Sequence, residues 1–164
     1  MEALHLLTRT IAVGIGATVV MDLWLLALKR AGVPTLDFAM LGRWTGHLFH
    51  GRVAHDAIRR AAPIPGERAL GWLMHYVVGI TFAAALVGWQ GADWLHRPVL
   101  APAFLWGLAT VAAPLFVMQP AMGAGIASFR TPTPLQNVLR SLANHAVFGL
   151  GLYLGAATVA RVAA

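Results

Sequence analysis

The sequence predicts an all-α fold: a bundle of four transmembrane helices with an amphipathic helix in its long first loop. Three observations predict it. The 164 residues are 59% hydrophobic and only 11% charged, against about 25% charged in soluble domains. Mean hydropathy is +0.70. The apolar residues gather into four runs, each long enough to cross the hydrocarbon core as a helix. A single integral membrane domain over 1–164 follows, with spans at about 11–28, 69–89, 99–118 and 138–159 and a long loop at 29–68.

The first span, IAVGIGATVVMDLWLLAL, carries one carboxylate, Asp22. Eighteen residues reach about 27 Å as a helix, close to the bilayer's apolar thickness. An aspartate near the centre of such a helix costs about 2.5–3.5 kcal/mol on insertion scales, so a partner, a proton or a wet cavity must shelter it. Gly14, Thr18 and Asp22 follow one another at i, i+4 and i+8 and share a helix face. The run is too long for a signal peptide and lacks a small-x-small cleavage site before Lys29–Arg30, so it reads as a retained anchor.

The loop 29–68 contains a second helical pattern. Met40, Leu41, Trp44 and Leu48 share one face, and Arg43, His47 and His50 the opposite one. Such a segment suits the membrane interface or the mouth of the bundle. The loop histidines, His55 among them, read as solvated. The stretch AAPIPGE, 61–67, then breaks the helix.

The second span carries His75 between Gly71 and Gly79, and 90–98 is a tight hairpin turn. The third span holds Pro102 and Pro114; Pro114 deprives the carbonyl of Thr110 of its helical donor, which predicts a kink. The stretch 118–134, rich in Pro and Gly, fits a re-entrant segment or an ordinary loop. The fourth span carries Asn144 and His145, with Ser141, His145 and Gly149 on one stripe. Gly151-x3-Gly155 is a packing motif that could join a homodimer.

Alternation of four spans gathers nine basic residues on one side: Lys29, Arg30, Arg43, Arg52, Arg59, Arg60, Arg68, Arg130 and Arg140. Arg9, Arg97 and Arg161 lie on the other. The positive-inside bias puts the long loop in the cytoplasm. It also assigns the net charge of +6 to an anionic lipid surface rather than to nucleic acid. There is no cysteine, which excludes disulfides, thiol catalysis and cysteine-based metal sites.

The polar groups converge by the same alternation. Asp22 lies seven residues before Lys29 and His75 seven after Arg68, each about 10 Å from that end. Asn144 and His145 follow Arg140, and Gln119 closes the third span. A ligand-binding or proton-linked pocket of Asp22, His75, Asn144, His145, Gln119 and Thr18 is therefore expected, with Arg43, His47 and His50 at its mouth. Intramembrane Asp and His can exchange protons, which points to binding or transport. Metal or haem binding is the alternative, with His75, His145 and Asp22 as the candidate ligands. A structural or accessory role is a third reading. Enzyme signals are poor: G-x-S-x-G and H-E-x-x-H are both absent.

Five segments also carry a resemblance: GIGATVVMDLW (14–24), LGRWTGHLFHGR (41–52), PGERALGWLMHYVVGI (65–80), APLFVMQPAMGAGIAS (113–128) and RSLANHAVFGLGLYLG (140–155). Together the chain resembles a family of small bacterial inner-membrane proteins classed only as a domain of unknown function. The resemblance implies a four-span bacterial membrane protein and supplies no activity, substrate or catalytic residue.

Overall fold

Four helices are long and apolar enough to cross a membrane: Glu2–Arg30, Glu67–Gln90, Leu100–Ala121 and Pro134–Val162. The computed structural model describes residues 2–162, and among these all regular structure is helical.

Helix α1, Glu2–Arg30, begins with an acidic residue and ends with Lys29 and Arg30, both favourable to the helix dipole. It starts well before the expected residue 11. The hydroxyls of Thr8 and Thr10 bond back to carbonyls of their own helix, and Arg9 reaches His96 at 3.3 Å, so polar residues extend the helix rather than end it. Helix α2, Phe38–Phe49, lies in the long loop and is capped by Asp37, whose side chain accepts from the Ala39 N–H. Helix α3, Glu67–Gln90, starts directly after the predicted proline break. Glu67 bends back to accept from the Ile64 N–H at 3.2 Å, which pairs one of the donors left over near a helix start.

Helix α4, Leu100–Ala109, ends at Thr110. A π-helical segment, Pro114–Met118, and a short helix α5, Gln119–Ala121, complete this span. The interruption falls where Pro114 removes the donor for Thr110, as the sequence predicts. Helix α6, Pro134–Val162, is longer at both ends than the expected 138–159, with Pro134 at its first turn.

The chain divides into two compact units: residues 1–34, 76–110 and 144–164 form the first, and 35–75 with 111–143 the second. In the first unit the core is Val13, Ala17, Ala83, Leu86, Val87, Trp94, Leu95, Ala103, Phe148, Leu152 and Ala156. Small residues set its helix crossings. A Cβ on Gly14 would stand 2.6 Å from the Ile80 Cα, and one on Gly107 only 2.4 Å from the Gly149 Cα. Gly151 and Gly155 press on Ala17 and Val13 of α1. This pair therefore packs against α1 within the chain. With no hydrophobic difference between lipid and side chain, such close backbone packing is a main source of helix association.

In the second unit α2 crosses the start of α3. A Cβ on Gly42 would stand 1.7 Å from the Glu67 carbonyl oxygen, and one on Gly71 would stand 1.8 Å from that of Phe38. The segment 55–58 lies along 121–122 through hydrogen bonds from the His55 N–H to Ala121 O and from the Ile58 N–H to Met122 O.

Gly107→Ala is expected to cost about 1–3 kcal/mol, because the added methyl has no room. Gly88→Ala meets nothing within 4 Å and should be neutral or stabilising by about 0.5–1 kcal/mol. Thermal unfolding of the two variants in the same detergent checks the contrast.

Candidate functional site

In the first unit the polar side chains join helices in pairs. Asp22 on α1 accepts a hydrogen bond from the Tyr76 hydroxyl on α3 at 2.8 Å. Two residues further along α1, the Trp24 Nε1–H donates to Asn144 Oδ1 on α6 at 2.9 Å. Between α4 and α6, Thr110 Oγ1 and His145 Nδ1 stand 2.8 Å apart. The Thr110 hydroxyl spends its proton on the Gly107 carbonyl at 2.6 Å, so His145 must be the donor. That places a proton on Nδ1. The Trp106 Nε1–H meets the Phe82 carbonyl at 2.9 Å, joining α4 to α3.

These bonds are modest individually, about 0.6 kcal/mol on average between membrane helices. Their chemical content is larger. Asp22 is half-buried in an apolar helix and accepts from a phenol. A carboxylate held by a hydroxyl can take up a proton or meet a cation without losing that partner.

Thr18 is almost fully buried at 1% exposure. Its hydroxyl donates to the Gly14 carbonyl at 2.8 Å, and a Cβ on Gly79 would stand 2.1 Å from it. Its place is therefore in the packing of α1 against α3.

In the second unit the dominant group is Arg43. It is 8% exposed, not displayed on a polar outer face as the helical pattern of α2 suggests. Its Nε and Nη2 donate to both carboxylate oxygens of Glu67, each at 2.8 Å. Its Nη1 faces the carbonyls of Ile58, Arg59 and Ala61 at 3.5, 3.3 and 3.2 Å. A planar guanidinium can serve a carboxylate and a ring of carbonyls together; a lysine cannot. The pair is a salt bridge of 2.8 Å between Arg43 Nε and Glu67 Oε2.

His75 sits in an aromatic group with Phe38 and Trp72, its ring centroid 4.8 Å from that of Phe38 and 6.0 Å from that of Trp72. Gln119 accepts from the Ser128 hydroxyl at 2.9 Å and points its amide at Ser141, 3.5 Å away. Ala127 and Ser128 hold positive φ of 50° and 61°, a strained region for residues with a Cβ; the Ser128 bond to Gln119 helps fix that turn. His47 Nε2 meets the Ala62 carbonyl at 3.0 Å. His50 is exposed and its Nδ1 meets the Gly46 carbonyl at 2.9 Å.

Of the residues singled out from sequence, Asp22, Thr18, Asn144 and His145 thus belong to the first unit. His75, Gln119, Arg43, His47 and His50 belong to the second. Tyr76, Trp24, Thr110 and Glu67 were not singled out. Each is a partner whose signal is only its position opposite a polar group on another helix. No group of three or more His, Asp or Glu among the described residues is arranged to hold a metal ion.

Against known family models the match is a family described as Protein of unknown function (DUF2938), over residues 11–159. The chain belongs to that family. No curated protein and no solved structure matches it. The matched region of this DUF2938 protein contains all the polar pairs just described.

Arg43→Ala in the DUF2938 chain should lower stability by about 3 kcal/mol, near the lower end for a broken buried ion pair, since the two side chains are 10% and 18% exposed. Arg43→Lys should recover only a minor part, because it loses the two-pronged carboxylate contact and the carbonyl contacts. Chemical denaturation followed by tryptophan fluorescence checks both.

Proposed function

We propose that this DUF2938 protein is a multi-pass protein of the bacterial inner membrane that holds a protonatable site centred on Asp22, and that it serves proton-linked binding or transport of a small ligand. The observation that carries this reading is the Asp22–Tyr76 hydrogen bond of 2.8 Å, made by a carboxylate within a helix apolar enough to cross a membrane. Carboxylates are rare in such helices and expensive there, and they concentrate along proton and ion paths. His145, oriented through Thr110, is a second titratable group on the facing α6.

The excess of basic residues in the long loop and around Arg130 supports a cytoplasmic position for both. The anionic lipid surface is the partner for that side. Helix α2, with Phe49 exposed at its end, suits the membrane interface.

The pairing of polar groups between helices also favours a second reading, in which these bonds serve assembly alone. Protonation separates the two. Infrared difference spectra of the protein in lipid, recorded as pH is stepped across the range about 5 to 8 where histidine and shifted carboxyls act, should show a protonated-carboxyl band that is lost in Asp22→Asn. The band should move in Tyr76→Phe, which removes its hydrogen-bond partner. A spectrum in which no carboxyl band titrates and disappears with Asp22→Asn would leave the assembly role and end the proton-linked one.

A further inference from the structure

His55 is buried without a partner. The residue is 6% exposed, and neither Nδ1 nor Nε2 of its ring has a hydrogen-bond partner. Buried polar atoms are almost always paired, so an imidazole with both nitrogens unmatched is an exception that calls for a reason.

Its surroundings belong to the second unit. The backbone of its segment is docked on 121–123: the His55 N–H donates to Ala121 O at 2.8 Å and the Ile58 N–H to Met122 O at 3.0 Å. Gly123 has φ of +94° and lies so close that a Cβ would stand 2.1 Å from the Asp56 carbonyl oxygen. The His55 ring meets that of His47 edge-on, with centroids 4.9 Å apart and planes at 85°.

The charged and titratable groups acting on His55 are His47 from α2, and Arg52 and Asp56 from its own segment. The segment 119–123 contributes none, since Gln119 is its only polar side chain. Arg52 is always a cation, His47 is a second imidazole, and Asp56 is the only anion among them. A neutral ring tolerates this place better than an imidazolium, which would bury a charge beside the cation of Arg52.

We propose that His55 is a pH-sensitive latch: its neutral ring keeps the segment 50–61 docked on 121–123, and its protonation releases that segment. The direction of its titration agrees. Burial, then Arg52, then His47 lower the His55 pKa from its ordinary value, against a smaller upward pull from the Ala121 carbonyl and Asp56. The released state therefore binds the proton more tightly than the docked one. Docking is at full strength above the ordinary pKa of about 6.5 and weakens as pH falls through the lowered value of the docked form. The device adds a response to acid outside the spans and does not rest on the role given to Asp22.

Hydrogen–deuterium exchange of the full chain in lipid nanodiscs, corrected for intrinsic exchange at each pH, tests it. Protection of the 50–61 amides should fall by up to about tenfold per pH unit below pH about 6.5, the limit set by one proton. The amides of α1 should keep their protection. In His55→Phe, which fills the site and cannot be protonated, protection should be independent of pH. If that variant does not fold, histidine-resolved NMR of the unmodified protein decides: the His55 ring should titrate together with the loss of protection. Protection that is flat with pH, or that falls equally in His55→Phe, overturns the latch. So does a loss that starts in α2 and the first turn of α3, which would point to the Arg43–Glu67 pair instead.

Discussion

A carboxylate in an apolar helix must have a partner, and in this chain Asp22 meets the hydroxyl of Tyr76. The rest of the first unit is consistent with that demand. The phenol can reach the carboxylate only if α1 and α3 approach closely, and they do so at Gly14 and Gly79, where a side-chain carbon would collide with the facing helix. Close approach in turn supplies the dispersion contacts that hold helices together when lipid and side chain are equally apolar. The same design recurs between α4 and α6, where Gly107 meets Gly149 and Thr110 meets His145. Small residues thus provide the packing, and one polar pair beside each crossing fixes its register.

The second unit uses a different device. Its connecting segments are irregular, so their carbonyls and amides need partners from outside regular helices. Arg43 supplies several of them at once, from a buried position on α2 anchored by Glu67 at the start of α3. The segment 121–123 supplies others to His55 and Ile58. In this dense arrangement one imidazole goes unmatched, and that mismatch makes the segment responsive to protons.

Much of this was legible in the sequence. Four apolar runs mark four helices, because length and hydropathy are local properties. Pro114 and the AAPIPGE stretch mark breaks, because proline acts on its own neighbourhood. What was not legible depends on facing. Tyr76 and Trp24 look like ordinary residues of apolar helices, and their roles appear only when α3 brings Tyr76 to Asp22 and α6 brings Asn144 to Trp24. The pattern of α2 puts Arg43 on a polar face, yet its partner lies 24 residues away in sequence, so Arg43 turns inward while His50 stays exposed. His55 reads as a solvated loop residue because nothing local shows that 121–123 will cover it. The ends of α1 and α6 were cut short because Arg9 and Arg161 look like the limits of the spans, whereas a helix continues past the apolar layer until its backbone is stopped.

The proposed role requires Asp22 and Tyr76 to act as one proton-sensitive unit. A double-mutant cycle with Asp22→Asn, Tyr76→Phe and the pair, measured by unfolding in bilayers at two pH values, tests it most directly. A coupling energy of about 0.5–1.5 kcal/mol, typical of a hydrogen bond, that differs between the two pH values is expected. Additive effects of the two substitutions at both pH values would contradict it.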